Sequence, residues 1–277
     1  MFPLINLGTL ERFRVPTTGL AQRLAKLDTR DGRGLPFNKV AAKTATAADI
    51  AEIVRLQEML YAQARHALLV VLQGMDTSGK DSTIRRVFGP IDPLGVIAIS
   101  FKKPTGLETS HDFLWRIHKA VPPARMIGLF NRSHYEDVLV VRVHALVPRD
   151  RIEDRYRQIN AFERHLSENG VTIVKFFLHI SRKEQNKRLE ARRADPTKRW
   201  KFAPDDLTER KYWRDYLTAY EIALDRCSTE WAPWFVVPAD RKWYRDAVVA
   251  RIVRTTLEGL DLAYPTELPG LRKLRFV

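Results

Sequence analysis

Cysteine is almost absent from this 277-residue chain. Cys227 stands alone, so no internal disulfide can form and no cysteine-based zinc site can be built. Cys227 itself is expected to be a small core residue. Long hydrophobic runs are missing too: Ala67–Leu72 and Val171–Leu178 fall far short of the roughly 20 apolar residues of a membrane helix. Met1–Leu10 lacks the basic start and cleavage pattern of a secretory leader, so a cytoplasmic location with no membrane partner is expected. No internal repeat and no low-complexity tract is found, which argues against a solenoid or a disordered array. The seven histidines show neither metal-ligand spacing nor the partners of a catalytic triad, and are expected to be structural or exposed.

What is present is an ordinary globular balance, 45% apolar and 29% charged, enough for one substantial core. Its charge is not ordinary. Against 33 Asp and Glu stand 47 Lys and Arg, and the resulting +14 attracts polyanions at long range. Nucleic acid, acidic membrane and polyphosphate are all compatible with that number alone.

Residues 1–46 carry scattered Pro, Gly, Arg and Lys without periodicity and are expected to form an arm wrapped on the domain. Ile50, Ile53, Leu56 and Leu60 predict an amphipathic helix over 48–64. Apolar strand-like runs then alternate with helical stripes. Strands are expected at Ala67–Gly74, Val96–Phe101, Met126–Asn131, Val171–Ile180 and Trp234–Pro238. Between them, Leu114, Ile117 and Val121 mark one stripe. Ile152, Tyr156, Ile159, Phe162 and Leu166 mark a second, ended by Gly170, and Trp213, Tyr216, Leu217, Tyr220 and Leu224 a third. Such alternation predicts an α/β fold, a five-stranded parallel sheet with helices on both sides. The domain is expected over 47–265, followed by a tail, 266–277.

The most specific feature is Gly74-Met75-Asp76-Thr77-Ser78-Gly79-Lys80-Asp81-Ser82, directly after a strand and before a helix. Glycines let successive N–H groups turn inward, the helix start adds positive potential, and Lys80 reaches a bound phosphate. Gly74, Thr77, Ser78, Gly79, Asp81 and Ser82 are therefore candidate phosphate ligands. Two residues depart from the usual pattern. Asp81 occupies the position of the magnesium-binding hydroxyl, so that hydroxyl comes from Ser82 or is absent. Asp76 lies among phosphates that would repel it, which makes sense if it binds magnesium or orients an acceptor.

The strand over 126–131 ends in Asn131-Arg132, where nucleotide hydrolases usually place a metal-binding Asp. Arg132 can neutralise a phosphate, and Glu136 and Asp137 are the nearest carboxylates. Residues 182–201 then hold nine basic against three acidic side chains, including Arg188, Arg192, Lys198, Arg199 and Lys201. Arg188 and Arg192 share a helix face, and Asp195-Pro196 breaks the helix. A mobile lid over 182–206 that supplies arginines to the phosphates is expected.

GMDTSGKDS at 74–82, FNRSHYEDVLVVRVH at 130–144, RLEARRADPTKRWKF at 188–202 and STEWAPWFVVPADRKWYR at 228–245 resemble the polyphosphate kinase 2 family. The resemblance implies a P-loop kinase-like fold and reversible phosphoryl transfer between inorganic polyphosphate and adenine or guanine nucleotides. It also implies magnesium, or manganese in its place, and a homodimer or homotetramer. By matching position, Asp76, Lys80, Arg132, Arg188 and Arg192 are catalytic and Asn131 belongs to the second motif. Tyr135 and Glu136 join the nucleotide site, with Asp76 and Glu136 at the metal. The Tyr135-Glu136-Asp137 string is similar to members that accept both AMP and ADP.

Two other readings share part of these features. An ATP-dependent nucleoside monophosphate kinase has the same loop, sheet and lid. A nucleic-acid-binding protein would use the +14 surface but leaves the loop and Asp76 without a role.

Overall fold

Residues 8–20, 23–33, 38–201, 208–267 and 269 are described by a computed structural model. Helix α1, Lys39–Gln63, begins nine residues before the expected start. Its first turns are rich in alanine and lysine, which favour helix without leaving an apolar stripe, and the Asn38 side chain caps them by accepting from Ala41 N at 2.7 Å. Strand β1, Ala67–Gln73, is buried along its whole length. Helix α2, Lys80–Thr83, runs on into a π-helical turn, Ile84–Phe88.

Strand β2, Val96–Ser100, is followed by two single-turn helices, α3, Gly106–Thr109, and α4, Trp115–His118. The stripe expected from Leu114 to Val121 is thus only one turn, because Pro122 and Pro123 follow it. Strand β3, Ile127–Asn131, leads to α5, Glu136–Val143, and α6, Arg149–Glu168. Gly170 reverses the chain at φ 86 into β4, Val171–His179. Helices α7, Arg182–Ala194, and α8, Trp213–Cys227, precede β5, Trp234–Pro238, and α9, Lys242–Glu258.

All five strands are parallel, in the order β2-β3-β1-β4-β5. The expected strands agree with the observed ones to within a residue at each end, because a strand covered on both faces reads as a continuous apolar run. Alternate residues of β1 face opposite helical layers. Leu68, Val70 and Leu72 join the larger core with Ile53, Val248 and Val253, while Leu69 and Val71 pack with Ile117, Phe130 and Leu166. Cys227 is fully buried, as its size suggested.

The described part of the arm is docked on this frame. Val15 N donates to Trp234 O at 2.8 Å, and Leu10, Phe13, Val15 and Leu24 enter the core. Parallel order places the C-terminal ends of β1 and β3 side by side, with Leu72 opposite Asn131, so the loop after β1 meets the turn after β3.

Candidate active site

The loop 74–80 joins β1 to α2 with φ values that side chains resist. Gly79 has φ 108, and a Cβ there would lie 1.8 Å from Arg245 Nη1. Arg245 lies buried beneath, donating to Ser78 O at 3.3 Å and Ser82 Oγ at 3.0 Å. The Ser82 hydroxyl also donates to Gly79 O at 2.9 Å, so it closes the loop and has no hydrogen left to offer a ligand. Thr77 also sits in the left-handed region, at φ 61. The buried hydroxyl oxygens of Thr77 and Ser78 have no partner among the described residues. Thr77 itself lines the cleft, whereas Ser78 is fully enclosed behind it.

Lys80 is nearly enclosed and donates to Gly74 O at 2.7 Å. Burial, reinforced by the neighbouring Arg132 charge, pushes its ammonium down to about 8. Arg132, held at φ 63 after β3, bridges two carboxylates: Nη2 reaches Asp76 at 2.9 Å and Nη1 reaches Glu136 at 3.0 Å. Glu136 and then Asp76 hold its proton more tightly than usual, against the opposing effect of burial. Asn131 Nδ2 donates to Asp81 Oδ1 at 2.7 Å, a pairing that a second carboxylate at 131 could not make unless protonated.

These groups open onto a cleft of about 1350 Å³ lined by thirteen Lys and Arg against five Asp and Glu. Loop, β3 end and α7 all contribute to it, through Asp76, Thr77, Gly79, Lys80, Asp81, Ser82, Asn131, Arg132, Arg188, Arg192 and Lys198. Such a surplus in a concave wall focuses field on a multiply charged anion. Over residues 37–264 the sequence matches polyphosphate kinase 2.

The chain belongs to the polyphosphate kinase 2 family.

It is 48% identical over 256 residues to an AMP/ADP-polyphosphate phosphotransferase of Meiothermus ruber, covering 92% of this chain and 96% of that one. It is 46% identical over 230 residues to an ADP-polyphosphate phosphotransferase of Rhodopseudomonas palustris, covering 79% and 80%. The crystal structure of polyphosphate kinase 2 from Arthrobacter aurescens superposes with a TM-score of 0.91 at 44% identity, over 99% of this chain and 97% of that one. The P-loop kinase-like α/β fold is thereby shown.

Within this polyphosphate kinase 2 fold, several expected site residues stand elsewhere. Tyr135 is fully buried, its hydroxyl donating to Glu163 at 3.0 Å and accepting from Lys175 at 2.8 Å, so it cannot touch a nucleotide. Glu136 acts on the cleft through Arg132 rather than lining it. Gly74 and Ser78 shape the loop from behind.

Arg188 is the largest departure. Its guanidinium is taken up by the carbonyls of Thr77, Ser78, Ala239 and Asp240 and by Glu184, so it braces the loop where contact with phosphate was expected. Arg192, one turn on, lines the cleft. Lys198 pairs with Asp195 and Arg199 donates to Arg193 O at 3.0 Å, both inside the turn after α7. The Lys201 side chain and residues 202–206 of the expected lid lie outside the described residues.

Sequence reasoning missed other cations of the cleft, among them Arg30, Lys39, Lys43, Arg85, Arg86 and Lys242. Arg85 and Arg86 follow the loop by one helical turn, a signal that was available. Arg30, Lys39 and Lys43 belong to the segment read as an arm, and only the tertiary structure brings them here.

Among the described residues no three His, Cys, Asp or Glu gather into a metal cage. The donors do fit a magnesium shared with substrate, since that ion commonly takes one or two carboxylates and fills its shell with phosphate oxygen and water. Asp76, a hard oxygen donor within the loop that lines the cleft, would be the group to hold it.

Proposed function

We propose that this chain transfers a terminal phosphoryl group from inorganic polyphosphate to AMP or ADP, reversibly, with magnesium bound through Asp76. The observation that carries this reading is the convergence of the glycine loop, Arg132 and α7 on one strongly basic cleft. The names of the Meiothermus ruber and Rhodopseudomonas palustris relatives support the donor and the acceptors. The family is divalent-metal dependent, and magnesium is the finer assignment.

In the reaction proposed, an oxygen of the nucleotide phosphate forms a bond to the terminal phosphorus. The bridging P–O bond breaks, and the electron pair leaves with the shortened polyphosphate. A nucleotide phosphate is already largely ionised at neutral pH, so charge neutralisation and alignment supply most of the acceleration. The ammonium of Lys80 and the guanidinium of Arg132 face the charge on the transferring group, and Arg192 approaches from α7. A bound divalent ion would supply further neutralisation and a template for the phosphates. Charged walls rather than a base therefore define the site.

Purified protein given polyphosphate, magnesium and AMP, ADP, GMP or GDP in turn, without ATP, should make ADP from AMP and ATP from ADP. No new nucleotide phosphate would favour an ATP-dependent monophosphate kinase.

A further inference from the structure

The segment before residue 37, which reads as an arm, is fastened to the machinery. Thr29 Oγ1 donates to Asp240 Oδ2 at 2.9 Å, and Asp240 N donates to Thr29 O at 3.1 Å. The same carboxylate accepts from Ser181 twice, at 2.8 Å from its backbone N and 2.8 Å from its hydroxyl. Ser181 is the N-cap of α7.

From that cap the contacts lead into the phosphate loop. Arg188, two turns along α7, donates to Ala239 O and Asp240 O with one nitrogen, and to Thr77 O and Ser78 O at 3.0 and 2.8 Å with another. Gln185 donates to Asp76 O at 3.1 Å. In a trans peptide the carbonyl of one residue and the N–H of the next point in opposite directions. Fixing the carbonyls of Asp76 and Ser78 therefore fixes the N–H groups of Thr77 and Gly79, the two loop residues that line the cleft on either side of Ser78.

We propose that Asp240 is a positioning residue, and that Thr29 of the arm acts through it to set the base of α7 and thereby the peptide planes of the phosphate loop. Stability alone does not require this node. The arm already buries Leu10, Phe13, Val15 and Leu24, and His179 and Glu221 satisfy the backbone of Leu24. The Thr29 contact is polar, only partly buried, and located at the foot of the helix that grips the loop. Without the Thr29 hydroxyl, Asp240 Oδ2 keeps the Ser181 hydroxyl alone and the carboxylate is held less firmly.

The inference rests on the reading of residues 74–80 as the phosphoryl site. Its test is a kinetic cycle of Thr29→Val, Thr29→Ser, Asp240→Asn and the double variant Thr29→Val/Asp240→Asn, with AMP and polyphosphate. Thr29→Val is expected to lower kcat about threefold and Asp240→Asn about thirtyfold, with nucleotide KM held within about twofold, because alignment and not acceptor binding is lost. Thr29→Ser should regain most of the loss. The double variant should be no slower than Asp240→Asn, since both act through one carboxylate.

Full kcat in Thr29→Val would overturn the proposal, as would losses that multiply in the double variant or a Thr29→Ser protein as slow as Thr29→Val. Should Asp240→Asn fail to fold, the comparison of valine with serine at position 29 decides by itself. Lys80→Ala, measured alongside, tests the underlying loop assignment. Full turnover there would remove that assignment and this inference together, an outcome distinct from any at positions 29 and 240.

Discussion

Arg132 and Asp76, 56 residues apart in the chain, meet at 2.9 Å across the seam between β1 and β3. The contact places the one acidic side chain within the phosphate loop under the control of the second motif, and Glu136 holds the same guanidinium from the other side. The protein thus keeps a cation between two carboxylates at the point where phosphate is expected to arrive.

Arg132→Lys should lose turnover almost as badly as Arg132→Ala, roughly a hundredfold, because a compact ammonium cannot span two carboxylates and a phosphate as a planar fork can. Steady-state rates with polyphosphate and AMP check this, and a lysine variant of full activity would contradict it.

Lys80 yields a dependence on pH with a definite sign. Its ammonium is pushed down to about 8 in the folded protein from an ordinary 10.5, so the unfolded chain binds more protons between those values. Its favourable contribution is therefore complete above about 10.5 and is lost as pH falls through about 8, a difference of roughly 3 kcal/mol at most. In urea unfolding, Lys80→Met should flatten that rise in stability between pH 8 and 10.5. It should also abolish turnover by a factor of about a hundred or more. Polyanion binding restores the proton, so the wild-type KM for polyphosphate should climb above pH 8.

Asp76→Asn keeps the shape of the side chain and its hydrogen bond to Arg132 but removes the charge that would hold magnesium. Half-maximal activity should need about tenfold more magnesium. Superimposable titration curves for variant and wild type would take Asp76 out of the metal site.

Gly79→Ala would force a side chain into φ 108 and into the Arg245 guanidinium, 1.8 Å away. We expect a loss of about 2 kcal/mol or more in unfolding free energy together with loss of activity. Wild-type stability would show that Arg245 can move aside without cost.

Beneath the second motif, Lys175 donates to Glu163, to the Tyr135 hydroxyl and to Cys227 O, all fully buried or nearly so. Burial works against the Glu163 carboxylate, but Lys175 and His134 outweigh it and hold its proton affinity below the ordinary value. Lys175→Met alone should cost about 3–5 kcal/mol by leaving that charge without its partner. Glu163→Gln/Lys175→Met should recover much of the loss, read from denaturant midpoints.

The sequence by itself determined the sheet and the phosphate loop, because both are encoded locally. A strand buried on both faces is a run of apolar residues, and a phosphate cradle is a fixed spacing of glycines before a lysine. Lys80, Asp76 and Arg132 meet in one cleft because β1 and β3 are neighbours in this fold. The start of α1 was hidden, because alanine and lysine make helix without marking a face.

Only the tertiary structure decided what Arg188, Tyr135, Arg245 and Thr29 do. A basic residue on a helix face reads the same whether it meets phosphate or the carbonyls of Thr77 and Ser78, more than a hundred residues away. A tyrosine within the second motif gives no sign that Glu163 and Lys175 wait beneath it, and Thr29 reaches Asp240 across 211 residues. Hydrogen bonds between distant segments depend on how the layers stack, and that stacking is set by the whole core at once rather than by any local pattern.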